Sequence, residues 1–241
     1  MIDEPAPSHD QASGGASYRP GDPVRATRVV LRPMANPLSL GFLGLAFATT
    51  LFSGLELGWV PASEGKILAL AVLVFTVPVQ FIACVFGFLT RDLVASSGMG
   101  VLAGTWASTA LTTLVSPPGS TSPALGLVLV VSAAAVLMPA TGAARSKLLA
   151  ASVNIATALR WLVTAGFEFS DVTAWEVAAG WMGIALGVLA LYASLAFEIE
   201  DQVRKTVLPT FRRKAGTTAM KGDLAAQVAA VANEAGVRKQ L

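Results

Sequence analysis

EVAAGWMGIALGVLALYASLAF, residues 176–197, carries one charged side chain, Glu176 at its first position, and none after it. An α-helix rises about 1.5 Å per residue, so a run of this length reaches across a hydrocarbon core of roughly 30 Å. The run does not alternate apolar and polar residues as a membrane β-strand must. Five similar stretches precede it, at 38–60, 67–89, 98–115, 123–140 and 148–167, so that each of the six is 18–23 residues long. The stretches at 98–115 and 123–140 are rich in Ala, Gly, Ser and Thr, which lowers hydropathy but suits closely packed helices.

Composition agrees with this reading. The chain has 241 residues, 54% hydrophobic and 13% charged, and a mean hydropathy of +0.64. A soluble domain carries roughly 25% charged residues, so these charges cannot wet a globule of this size. A net charge of +2 does not point to nucleic acid as a partner. One Cys and one His cannot build a disulfide framework or a zinc cluster. The expected fold is therefore an all-α membrane protein with six transmembrane helices.

Three regions follow. Residues 1–35, rich in Pro, Ser and Gly, read as a disordered cytoplasmic tail, not a secretory signal. Residues 36–198 form the six-helix domain, and 199–241 a basic cytoplasmic tail. In that tail Leu224, Val228, Val231 and Ala232 follow Asp223 at helical spacing, a weak amphipathic helix that rests on the membrane, contacts neighbours or stays in solution. The Arg212-Arg213-Lys214 cluster favours anionic lipid headgroups.

Orientation comes from Lys and Arg. An even number of spans puts Arg19, Arg25, Arg28, Arg32, Arg91, Arg145, Lys147, Arg204, Lys205, Arg212, Arg213 and Lys214 on one side. The other side has only Lys66. Both termini are then expected in the cytoplasm. Gly54/Gly58, Gly100/Gly104 and Gly183/Gly187, each four apart, point to tight helix seams. Pro78 and Pro139 are expected to kink or end spans 2 and 4.

Asn36-Pro37 reads as a helix N-cap followed by its first residue. Such a helix start is either a plain interfacial cap or an anion-attracting N-terminus. The string Asn36-Pro37-Leu38-Ser39-Leu40-Gly41, with Gly44 and Thr49-Thr50 after it, resembles the Asn-Pro-Ala-Pro-Leu-Gly signature of the acetate uptake transporters, the family of the succinate–acetate permease. Ala179-Gly180-Trp181-Met182-Gly183, then Gly187, Tyr192, Glu198 and Thr206-Val207-Leu208-Pro209, resembles that family's sixth helix and the segment after it. Gly142-Ala143-Ala144-Arg145 resembles its Lys-Gly-Ala-Arg turn, so the likeness spans about residues 36–209.

The resemblance implies six helices, cytoplasmic ends, and a hexamer whose protomers each hold a narrow path for acetate or other small carboxylates. It further implies a constriction of three apolar or aromatic residues on helices 1, 3 and 5. Carried across by position, these fall on Leu45, on Trp106 or Ala107, and on Asn154. The signature's Ala and Pro are Leu38 and Ser39 here, and a polar Asn154 would relax an apolar dewetting barrier. A divergent member is therefore expected, with a substrate path along Asn36, Leu45, Thr49, Trp106 and Asn154.

Two charges lie inside the spans. Arg160 precedes Gly166 by six residues, about 9 Å inside the outer end of its helix. A charge at depth costs at least about 2.5–3.5 kcal/mol on insertion scales and normally faces protein or water. Glu56 has about the same depth in span 1. Three readings are open: a Glu56–Arg160 ion pair, an outer vestibule where Arg160 attracts a carboxylate, or an Arg160 that snorkels past a wetted Glu56. Glu56 is also the one acid placed to carry a proton.

Gln80, Thr49, Ser108, Thr109, Ser152 and Asn154 supply hydroxyls and amides within the bundle, for helix–helix bonds or for a permeating carboxylate, with Asn154 the foremost candidate. Cys84 reads as a small core residue, and His9 lies in the N-terminal tail. No nucleophile–base pair, His-Glu-x-x-His motif, phosphate loop or metal cluster occurs, so neither an enzyme, a cofactor nor a metal is expected. The sequence points to an inner-membrane transporter or channel for acetate and related small carboxylates, succinate included, with lipid and copies of itself as partners. The rival reading is a non-transporting membrane scaffold or sensor on the same fold.

Overall fold

The structure is a computed structural model describing residues 34–214, 216 and 217. His9, nearly all of the N-terminal tail and the expected helix from Asp223 lie outside the described residues. The chain forms helices α1 (Pro37–Glu56), α2 (Ala62–Leu89), α3 (Leu93–Val115), α4 (Pro123–Ala144), α5 (Leu148–Ser170) and α6 (Thr173–Val203). Consecutive helices pack side by side and α6 returns onto α1, which closes a ring. Short connections make the helices run alternately up and down.

Caps, more than hydropathy, decide where these helices begin. Asn36 is extended, and its Oδ1 accepts from Leu38 N at 3.1 Å, while Pro37 needs no partner at the first position. Asp92 Oδ1 caps Val94 and Ala95 N at 3.1 and 3.2 Å, so α3 starts five residues before the apolar stretch at 98. Ser122 Oγ accepts from Leu125 N at 3.3 Å ahead of Pro123. At the far end α6 continues through Glu200 to Val203, past the expected boundary at 198, and stops at Arg204 with φ 55°.

Both inner prolines are absorbed without ending their helices. Pro139 sits inside α4, and Pro78 follows a π-turn at Val72–Thr76. Proline lacks the N–H of the regular ladder and crowds the carbonyl one turn back, and a widened turn relieves both. Beside that turn Thr76 Oγ1 donates to Gly44 O at 3.1 Å, and Gln80 Nε2 to Gly41 O at 3.4 Å.

Of the three glycine pairs, one forms a seam between helices. A Cβ on Gly183 would run into Ser53 Oγ, and one on Gly187 would lie 2.6 Å from Thr50 Oγ1, so α6 lies close on α1 only because both are glycine. Gly58 lies beyond α1 with φ +68°, a left-handed stop, and Trp59 N bonds back to Gly54 O at 2.9 Å. Gly104 is exposed with nothing within 4 Å, while its companion Gly100 faces Cys84 Sγ at 3.2 Å. Spacing alone does not say which face of a helix meets a neighbour.

Among the described residues, five helices are long and apolar enough to cross a membrane: α1, α2, α4, α5 and α6. Helix α3 has 23 residues, but its Ser, Thr and Gly content keeps it out of that set. Large apolar side chains such as Val115, Met138 and Val188 point outward. Trp59 and Trp181 meet edge to face, centroids 6.2 Å apart and both exposed, as tryptophans do at a membrane interface.

After α6 the chain turns back as a strap across the ends of the helices. The N-terminus of α5 has no side-chain cap, and the strap supplies one: Leu148 N and Leu149 N donate to Phe211 O and Thr210 O, each at 3.4 Å. Arg213 N donates to Ser146 O at 3.0 Å, and Tyr192 Oη to Pro209 O at 3.1 Å. Nearby, Lys147 pairs with Asp92, which joins the starts of α5 and α3.

Candidate functional site

At the end of the bundle away from the strap, where α1, α3 and α5 finish, a cavity of about 130 Å³ opens among the helix ends. Phe52, Glu56, Trp106, Thr109, Arg160 and Thr164 line its inner part, and Lys66, Glu168, Glu176 and the 116–120 loop its rim. Glu168 Oε2 accepts from Ser122 N at 2.6 Å, tying the end of α5 to the start of α4.

Arg160 is 2% exposed, so its charge must be met by protein. Both Glu56 carboxylate oxygens accept from the same nitrogen, Nη2, at 3.0 and 2.9 Å. Nη1 donates to Thr164 Oγ1, one turn on, at 3.1 Å. The guanidinium carbon stands 5.9 Å from the Trp106 ring centre, and Trp106 in turn packs on Phe52, centroids 5.6 Å apart. Nε is buried with no hydrogen-bond partner among the described residues and lies beside Gly183. Of the three sequence readings, the structure draws the ion pair and the cavity together at one place.

The other expected path residues are spread along the bundle. Leu45 and Thr49 are fully buried, and Thr49 Oγ1 donates to Gly183 O at 3.3 Å, within the α1–α6 seam. Trp106 is buried at the cavity floor, with its Nε1 unpartnered among the described residues. Asn154 is 1% exposed, and neither amide atom has a partner among the described residues. A Cβ on Gly98 would lie 3.7 Å from both Asn154 Nδ2 and Pro139 Cγ, so Asn154 sits against α3 and α4. Gly98 is eight residues from Trp106, about 12 Å along α3, so Trp106 and Asn154 do not form one ring. Asn36 caps α1 at the opposite end.

Sequence reasoning missed Phe52 and Thr164, and it read Lys66 as an orientation signal only, not as part of the cavity rim. Thr164 and Phe52 each stand four residues from a charge within a span, Arg160 and Glu56, and that spacing puts them on the same helix face.

A family model matches residues 16–212, well over half of the chain, and is described as the GPR1/FUN34/yaaH family. The chain belongs to this family. The resemblance to the acetate uptake transporters is thereby established, and with its apolar helices the chain is a multi-pass membrane protein. Among solved structures it is similar to one titled "Structure of the bacterial acetate channel SatP", with a TM-score of 0.65 and 20% identity. The likeness covers 74% of this chain and 99% of that one, and it establishes a shared fold. No curated protein sequence matches the chain.

Proposed function

We propose that this protein carries acetate and related small carboxylates across a membrane along the axis of the helix ring. The carrying observation is the buried Arg160 guanidinium at the floor of an open cavity, since a fixed cation in low dielectric is what a desolvating carboxylate requires. Family membership and the fold shared with a bacterial acetate channel support the same substrate class. The cavity volume of about 130 Å³ has room for several waters, hence for a short monocarboxylate first and succinate second. Asn154, with an unpartnered amide deep in the bundle, offers the next donor inward.

We place six spans in the membrane, α3 included, because its length matches the others and its ring neighbours α2 and α4 are both apolar enough to cross. Arg91, Arg145, Lys147, Arg204 and Arg212 gather at the strap end, whereas Lys66 is at the cavity end, which supports cytoplasmic termini and an outward-facing cavity. The outward apolar surfaces fit lipid and neighbouring copies in a homo-hexamer of the inner membrane. Uptake of labelled acetate into proteoliposomes, with and without a pH gradient, tests the reading. Saturable uptake is expected, and dependence on the gradient separates a proton-coupled permease from a channel. No uptake of any short carboxylate would instead favour a scaffold or sensor.

A further inference from the structure

We propose that Glu56 is a built-in competitor for the substrate's place on Arg160, so that a carboxylate enters by exchanging with the protein's own. The inference rests on the functional reading above and adds to it how the site selects its substrate.

The ion pair is geometrically incomplete. A guanidinium meets a carboxylate best as a fork, with two nitrogens donating to two oxygens. Here both Glu56 oxygens share Nη2, at 3.0 and 2.9 Å, and Nε has no partner among the described residues. A second carboxylate therefore does not need to improve on an optimal pair.

The two partners are also held unequally. Arg160 is fixed on three sides, by Thr164 on Nη1, by the Trp106 face, and by the seam at Gly183, where a Cβ would lie 2.8 Å from Nε. Glu56 is the last residue of α1, two positions before Gly58, whose φ of +68° ends the helix. Its side chain is 11% exposed against 3% for Arg160, and among the described residues Arg160 is its one side-chain hydrogen-bond partner. Both groups line the cavity, and so does Lys66, which gives a displaced Glu56 carboxylate another cation nearby. Glu168 and Glu176 face the same space and repel passing anions, so only a ligand able to take over the guanidinium is retained.

Exchange of one carboxylate for another keeps Arg160 neutralised, and the one negative charge the cavity gains falls to the displaced Glu56, with Lys66 in the same cavity to meet it. A neutral molecule, in contrast, would strand a buried cation, which is strongly unfavourable. Binding is thereby limited to carboxylates without a dedicated apolar pocket.

The test is an acetate titration of purified protein in detergent, followed by thermal unfolding, with acetamide as the neutral isostere. In Glu56→Gln, which keeps the shape without the charge, acetate is expected to bind at least tenfold more tightly than in wild type. Glu56→Ala is expected to unfold at lower temperature and to be restored by acetate but not by acetamide. The double variant Glu56→Gln/Arg160→Gln, with neither charge, is expected to lose the acetate response. Equal acetate affinity in wild type and Glu56→Gln, or equal restoration of Glu56→Ala by acetamide, would overturn the proposal. Should Glu56→Ala not fold, the other two variants decide it alone. Because the readout is binding, a wild type that transports nothing but shows this pattern contradicts the transport reading and leaves the exchange intact.

Discussion

One glutamate–arginine pair stands at each end of the same bundle, Glu200–Arg212 and Glu56–Arg160, and the two are built differently. In the strap, Arg212 Nε and Nη2 donate to the two oxygens of Glu200, each at 2.8 Å, as a complete fork. Thr206 and Thr210 hydroxyls add bonds to Glu200 Oε1 at 2.7 and 3.3 Å. All three donors lie within 12 residues of Glu200, and the pair closes a local turn of chain. The Glu56–Arg160 pair joins residues 104 apart, uses a single donor nitrogen, leaves Nε without a partner among the described residues and borders a cavity. A pair with its donors and acceptors saturated holds structure in place. An unsaturated one at a cavity floor can hold a ligand.

Variants at each end should break this contrast in different ways. The largest stability loss is expected from Glu200→Ala, which strands Arg212 and frees the strap that caps α5, at about 3–5 kcal/mol. Thermal unfolding in detergent measures it, and the acetate response below the transition should not change. A loss no larger than that of Glu56→Gln would remove the distinction between the pairs.

Gly183→Val comes next. Its side chain would enter the space of Ser53 Oγ and Arg160 Nε, and overpacking of this kind costs about 1–3 kcal/mol. Unlike the strap variant it should also reduce acetate uptake, because it displaces the guanidinium; uptake and unfolding measured together would show whether the two effects separate.

Asn154→Leu should be close to neutral in unfolding, within about 1 kcal/mol, since an unpartnered buried amide is exchanged for an apolar group of similar shape. Acetate uptake should nonetheless fall about tenfold. Undiminished uptake would remove Asn154 from the path. The smallest effect is expected for Gly104→Ala, where a Cβ meets nothing within 4 Å: less than about 0.5 kcal/mol in unfolding and no change in uptake.

The contrast between the pairs also explains what could be read from sequence. Glu56 and Arg160 stand out because a charge inside an apolar span has no cheap place to go, and counting residues from the helix ends puts them at one depth. Glu200 and Arg212 carry no such signal. They lie where hydropathy has already fallen, so the stretch reads as a basic tail and α6 is cut short at 198, although it runs to Val203. Thr206, Thr210 and the backbone of the strap become partners only once the chain has turned back. The cap at Asn36 is legible because it is local, whereas the seam at Gly183 and the free face at Gly104 look alike in sequence.

Acetate uptake into proteoliposomes by wild type and by Glu56→Gln/Arg160→Gln, compared at equal folded protein, bears most directly on the claim that Arg160 receives the substrate. The double variant removes both charges together and leaves neither one stranded. Saturable uptake by wild type, reduced at least tenfold in the double variant, is the expected result. Uptake that is the same in both proteins would contradict it.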